Sequence, residues 1–208
     1  MSKTLAAACF LCVAMTRDVI TRNDMYANVI GLGLIFGAIG DICLLPSSTG
    51  IMFLLGLISF LFGHICYIIA FSLLPYNLDW ILYGGIFAVI RSMLIWVFLN
   101  RAAKENNKKN KKSKNGMKSL PVILYIIVIT LMVAGSIGNF GAAYHQFHSV
   151  SEILKYNPGV FYRFIGAELF YFSDICVARE RFVVKSPINK YLGLPLYFGG
   201  QLLIAYWI

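Results

Sequence analysis

Apolar residues run along this chain in blocks of about twenty, a length that crosses ~30 Å of hydrocarbon at ~1.5 Å per helical residue. Six blocks stand out: Tyr26 to Leu45, Ile51 to Leu74, Trp80 to Leu99, Leu120 to Tyr144, Val160 to Ala178, and Tyr191 to Ile208. Thr4 to Thr16 is a weaker seventh, read as a short or tilted helix. Lys3 before an apolar run also suits a signal peptide, but the small residues Ala6 to Ala8 lie at the wrong end for cleavage. Helix breakers fall at the joints: Pro46-Ser47-Ser48, Pro75 and Asn157-Pro158-Gly159. The pattern predicts an all-α, polytopic transmembrane helix bundle of about seven helices, with residues 1–208 forming a single integral-membrane domain.

Composition strengthens this reading. Of 208 residues, 59 % are hydrophobic and 13 % charged, about half the charge with which a soluble protein covers its surface. A soluble enzyme, a disulfide-rich secreted module and a disordered tail are excluded. Between Arg101 and Lys118 lie eight Lys and Arg against Glu105 alone, so this segment holds +7 of the formal +9. Concentrated in one loop rather than on a folded face, the charge does not point to nucleic acid. It sets orientation: a basic loop over 101–118 stays cytoplasmic. Alternation puts the basic stretch Arg179 to Lys190 on the same side and His145 to Pro158 on the other. The 101–118 loop also suits anionic lipid headgroups. The five cysteines (Cys9, Cys12, Cys43, Cys66, Cys176) lie in or beside apolar blocks and read as small core residues.

Ionisable groups inside a membrane are expensive, so each is a candidate for function. Gly33, Gly37 and Asp41 step by four along one helical face, and small residues let helices approach closely. That stripe should face protein and carry Asp41 into the bundle. Asp174, after Ser173, lies at a similar depth on another helix. Two carboxylates in a cleft can act as one acid and one base; the alternative is a pair of structural, ion-paired carboxylates. His64 and Tyr67 share a face, as do Tyr197 and Gln201. His64 either orients a water or headgroup or simply bonds within the bundle. Arg91 and Glu168 are expected to neutralise each other. His145 and His148 lie away from the aspartates, so no zinc site is expected. Gly-x-Ser-x-Gly and P-loop motifs are absent.

The runs Gly40-Asp41-Ile42-Cys43-Leu44-Leu45, Phe53-Leu54-Leu55-Gly56-Leu57 and Phe60-Leu61-Phe62-Gly63-His64-Ile65-Cys66-Tyr67 resemble the YhhN family of integral membrane proteins. So do Gly166-Ala167, Phe170, Ser173-Asp174 and the closing Tyr197 and Gln201. Lys3 looks like the lysine of the family's Lys-Pro-Leu segment, with Thr4 in place of proline. The family usually has eight membrane helices, so the resemblance implies a missing first helix or a shorter member. Its animal members are lysoplasmalogenases. The resemblance therefore implies hydrolysis of the vinyl-ether bond of lysoplasmalogens to a fatty aldehyde and a glycerophospho-base, in the endoplasmic reticulum. It assigns catalysis to Asp41 and Asp174, with Lys3 (for the headgroup phosphate), His64, Tyr67, Ser173, Tyr197 and Gln201 binding substrate or supporting. No cofactor or metal is expected. The expected partners are the lysophospholipid and membrane lipids; a homo-oligomer stays open.

Rival classes remain at this stage. A small proton-coupled transporter or lipid carrier would use the same intramembrane carboxylates for relay. Gly40-Asp41 and Ser173-Asp174, near equivalent helix ends, hint at the internal duplication common in transporters. A receptor-like or structural seven-helix protein would use the carboxylates only to pair with cations.

Overall fold

The computed structural model describes residues 10–13, 24–44, 50–109 and 120–207, and these residues are almost wholly helical. Lys3 lies outside the described residues, as does most of the Thr4 to Thr16 segment. Seven helices follow the short helical piece at 10–13: α1 (Met25–Cys43), α2 (Gly50–Ser72), α3 (Leu78–Lys109), α4 (Leu120–Phe147), α5 (Val150–Tyr156), α6 (Pro158–Ala178) and α7 (Pro187–Tyr206). A π-helical turn, Arg179–Val183, continues α6.

Local chemistry sets the boundaries. Asp24 caps α1 by accepting the Tyr26 N–H at 3.1 Å, satisfying a donor that no helical carbonyl reaches. Proline opens both α6 and α7, where its missing N–H costs nothing. The end of α2 is held from outside: the Asn139 amide donates to the carbonyls of Phe71 (3.0 Å) and Pro75 (2.9 Å).

α1, α2, α3 (to Asn106) and α4 are long and apolar enough to cross a membrane by length and composition. α6 and α7, with 21 and 20 residues, are long enough but more polar than these four. α6 carries Arg163, Glu168 and Asp174, and α7 carries Asn189, Lys190 and Gln201. Asn189 and Gln201 are buried, whereas Lys190 is exposed. The basic stretch also differs from the expected loop over 101–118: residues 101–109 prolong α3, because Ala102, Ala103, Lys104 and Glu105 are good helix formers. Residues 110–118 lie outside the described set. Leu99, just before this extension, and Ala103 within it pack against Ile175, Ala178, Phe182 and Val183. The Asn106 amide then donates to the Val183 carbonyl, fastening α3 to the π turn. On the other side, α4 runs through His145 to Phe147, so the loop expected from His145 is a helix end followed by the short α5.

Contacts join α1 to α2, α2 to α4, α4 to α6, α6 to α7 and α7 back to α1, closing a ring of five helices; α3 lies outside, along α4 and the π turn. Glycine makes several of these crossings close. A Cβ on Gly166 would stand 3.0 Å from the Gly200 carbonyl oxygen, and one on Gly200 would stand 2.8 Å from that of Gly166. Ile81 fills the space a side chain on Gly138 would need. Leu32, Ile35, Leu82, Ile86, Phe87, Ile90, Met93, Leu94 and Phe98 are exposed on the outer faces, as lipid-facing surfaces require.

Arg91 on α3 and Glu168 on α6 form the expected ion pair at 2.7 Å, with both side chains mostly buried. The Arg91 guanidinium also lies over the Tyr171 ring, 4.1 Å from its centroid. Removing one partner leaves a poorly solvated charge. Glu168→Gln is therefore expected to destabilise the protein by about 3–5 kcal/mol, and pairing it with Arg91→Met should recover most of that loss. Thermal unfolding in detergent measures both.

Candidate active site

At the centre of the ring the buried side chains are aromatic and polar together. Phe60, Phe170 and Tyr197 meet edge to face, with Phe170 and Tyr197 centroids 5.2 Å apart. His64 sits edge-on to Phe170 at 4.5 Å. A cavity of about 300 Å³ opens beside this cluster. Its walls come from α1, α2, α3, α4, α6, the π turn and α7. Asp41, Ser173, Asp174 and Tyr197 line it, together with Tyr125, Ser92 and Tyr171. The rest of the wall is largely apolar, including Phe53, Leu57, Ile95, Ile126, Ile129 and Leu194.

Asp41 is 4 % exposed. The Tyr197 hydroxyl donates to its Oδ2 at 2.9 Å. Gln201 stands one turn further along α7 and donates Nε2–H to the Tyr197 oxygen at 3.4 Å. Tyr67, from α2, donates its hydroxyl to Gln201 Oε1 at 2.6 Å. All three bonds run the same way, Tyr67 to Gln201 to Tyr197 to Asp41. Such a chain polarises each member toward the acceptor at its end, here a carboxylate oxygen. The glycine stripe makes room for it. A Cβ on Gly33 would lie 2.5 Å from the Tyr67 ring, and one on Gly37 would lie 2.7 Å from Gln201 Nε2 and 3.3 Å from the Tyr197 hydroxyl. Tyr67 and Gln201 do not line the cavity; they stand behind Tyr197.

Asp174 has different neighbours. Tyr125, on α4, donates its hydroxyl to Asp174 Oδ2 at 2.7 Å. His64 Nε2 is 3.0 Å from the same hydroxyl and 3.5 Å from Asp174 Oδ2. The other ring nitrogen, Nδ1, faces the Met132 sulfur at 3.3 Å. The imidazole is fully buried, whereas the Asp174 side chain is 17 % exposed. His64 thus bonds within the bundle, behind Tyr125, and does not line the cavity.

Tyr125 thus bridges imidazole and carboxylate, with its hydroxyl hydrogen-bonded to both His64 Nε2 and Asp174 Oδ2, a geometry in which a hydroxyl can relay a proton between the two. On the Asp41 side the corresponding hydroxyl, Tyr197, is backed by the Gln201 amide instead.

Tyr125 was not a sequence candidate. Its signal was present, since a tyrosine hydroxyl in a charge-free apolar block must find a partner when buried. Which partner it finds depends on the α2–α4–α6 packing. The same holds for Ser92, whose hydroxyl is 2.9 Å from both Thr130 Oγ1 and the Tyr171 hydroxyl. Ser173 is buried in the cavity wall.

Apolar helices wrapped around a chamber that holds two carboxylates and their tyrosine donors define an integral membrane protein with a buried acidic cavity. The YhhN family model matches residues 1–207, and the chain belongs to that family. It is also similar to a lysoplasmalogenase, TMEM86A of Bos taurus, with 28 % identity over 180 residues. That match covers 86 % of this chain and 64 % of the bovine protein, so the chain spans less than two thirds of its relative. No solved structure matches it significantly.

Proposed function

We propose that this protein is a lysoplasmalogenase, a hydrolase that cleaves the vinyl-ether bond of a lysoplasmalogen to a fatty aldehyde and a glycerophosphoethanolamine or glycerophosphocholine. The observation that carries this reading is the pairing of Asp41 and Asp174 on one apolar cavity, with donors arranged differently around each. The similarity to a lysoplasmalogenase supplies the substrate class.

Vinyl ethers are cleaved by protonation at the β-carbon, which leaves an oxocarbenium ion. The chemistry needs an acid that can hold a proton, an anion facing the cation and a placed water. Asp174 is the acid, because it shares a movable proton with Tyr125 and His64. Asp41 is the anion and base, because the directed chain through Tyr197 ends on its carboxylate. Asp174 gives its proton to the β-carbon. Water then adds to the α-carbon and passes a proton to Asp41. As the hemiacetal collapses, the glycerol oxygen takes the Asp41 proton, and the hemiacetal hydroxyl returns one to Asp174. Both carboxylates are restored. Phe60, Ile126 and Ile129, on the cavity wall, keep other water away from the cation. The protein is read as multi-pass in the endoplasmic reticulum, with residues 101–118 and 179–190 at the cytoplasmic face, where the positive charge concentrates.

Purified protein should release aldehyde from a lysoplasmalogen and leave a saturated lysophospholipid intact. Release from neither, or from both, contradicts the assignment. Tyr125→Phe breaks the proton path while sparing both carboxylates. It is expected to lower kcat on the order of 10–100-fold with little change in KM, general acid–base catalysis being worth about 10²–10⁴-fold in all. Single-substrate kinetics at several pH values reads it.

A further inference from the structure

The acidic end of the cavity is half of its lining. The other end is formed by the π turn and the start of α7, and its side chains are Glu180, Arg181, Lys185, Asn189 and Lys190. A second, shallower depression adjoins it, lined by Glu180, Lys185, Ser186, Lys190 and Tyr191. Glu180 is taken up locally. It accepts from the Ser186 N–H and the Asn189 amide, both at 2.8 Å. Burial alone would push its carboxyl up, but those two donors and the charges of Lys190 and Lys185 outweigh it and hold the group below the usual carboxylate range. Asn189 also accepts from Arg179 at 2.9 Å. Arg181 lies over the Phe53 ring, 4.3 Å from the centroid, which holds the guanidinium at the cavity wall by cation–π attraction. Among the described residues, Arg91–Glu168 and His64–Asp174 are the ion pairs within bonding distance. Arg181, Lys185 and Lys190 are therefore exposed cations on a cavity rim whose one carboxylate is bonded to Asn189 and Ser186.

We infer that Arg181, Lys185 and Lys190 form a phosphate-binding site at the rim of the cavity, which takes the phosphodiester of a lysophospholipid while the chain next to the glycerol lies against Asp41 and Asp174. This rests on the hydrolase reading for the identity of the ligand, not for the chemistry of the site. Arg181 follows Asp174 by seven residues, on the order of 10 Å along the axis, and both side chains line the same cavity. In a glycerophospholipid the sn-1 ether oxygen and the phosphate are separated by the glycerol carbons, and the arginine side chain spans the remainder. The Trp96 indole N–H, on the same wall, has no hydrogen-bond partner among the described residues and is a further donor for a phosphate or glycerol oxygen. Lys3, the lysine that the family resemblance offers for this role, lies outside the described residues.

The test measures binding without turnover. The full chain in detergent is titrated with a saturated 1-O-alkyl lysophosphocholine, which has no vinyl ether to cleave, and with the 1-O-alkylglycerol of equal chain length. Wild-type protein should prefer the phosphate-bearing ligand. Arg181→Gln, Lys185→Gln and Lys190→Gln should each weaken its binding about fivefold, and the triple variant should bind both ligands alike. Alkylglycerol affinity should stay unchanged throughout, and Lys185→Arg should retain wild-type preference. Competition by glycerophosphocholine and by inorganic phosphate separates a headgroup from free phosphate: a headgroup site is displaced by the first more readily. An undiminished preference in the triple variant, or equal losses for both ligands, overturns the site and leaves these cations as membrane-orientation charges. Aldehyde release is assayed separately. A protein that discriminates the two ligands but releases no aldehyde would refute the hydrolase reading and keep the phosphate site.

Discussion

Asp174→Asn should leave a folded protein that no longer releases aldehyde, with turnover reduced roughly 10²–10⁴-fold, the range general acid–base catalysis supplies. The substitution keeps the shape of the side chain. The Tyr125 hydroxyl, 2.7 Å away, still finds an oxygen to donate to, and His64 keeps its contact with Met132. What is lost is the proton that the carboxyl can deliver. Asp41→Asn should be comparably severe for a different reason. Tyr197 can still donate to the amide oxygen, but no negative charge faces the oxocarbenium ion and no base accepts the proton of water. Detergent-solubilised variants with wild-type unfolding temperatures and no aldehyde would meet both expectations. Substantial turnover in either variant would remove that carboxylate from the mechanism.

The second large effect lies away from the reacting groups. Gly37→Val should cost on the order of 2–4 kcal/mol of stability and most of the activity, because it combines overpacking with the loss of buried hydrogen bonds. Its Cβ would stand 2.7 Å from Gln201 Nε2 and 3.3 Å from the Tyr197 hydroxyl, and both groups are buried and hydrogen-bonded to each other. Either Tyr197 leaves Asp41 or α1 moves off α7. Leu32→Val, on the exposed face of the same helix, serves as the control and should change neither unfolding temperature nor turnover.

This glycine stripe also shows what the sequence could reveal. Gly33, Gly37 and Asp41 at four-residue spacing identify a protein-facing stripe, since small residues on a membrane helix mark close approach. The spacing cannot say what approaches. The structure answers with Tyr67, Gln201 and Tyr197, so the stripe accommodates a polar network rather than a bare helix crossing. Asp174 was legible as a costly intramembrane charge, and its pairing with Tyr125 was not. Tyr125 is an isolated tyrosine in an apolar block on a helix 49 residues away in sequence, and periodicity within one helix carries no information about its neighbours. Arg91 and Glu168 could be matched in advance because Arg91 is a lone charge in its block and Glu168 offers the opposite sign on another. The helical run through 101–109 was masked by its lysines and asparagines, which read as loop when charge rather than helix propensity is weighed.

The roles of the two carboxylates also explain why the chamber is built from both ends of the chain. In the proposed mechanism α1 and α7, with Tyr67 of α2, carry the branch that holds a charge, and α4 and α6, with His64 of α2, carry the branch that moves a proton. Phe170 packs against both His64 and Tyr197, and the His64 and Tyr67 rings, one from each network, meet edge to face 6.5 Å apart.

The most direct test of that division is the hydrolysis of a lysoplasmalogen in heavy water, followed by mass spectrometry and chiral analysis of the aldehyde. Protonation of the β-carbon by a fixed acid predicts one deuterium on the carbon next to the carbonyl, delivered to a single face and lost with turnover in Asp174→Asn. An aldehyde without that deuterium, or labelled equally on both faces, would contradict proton delivery by Asp174.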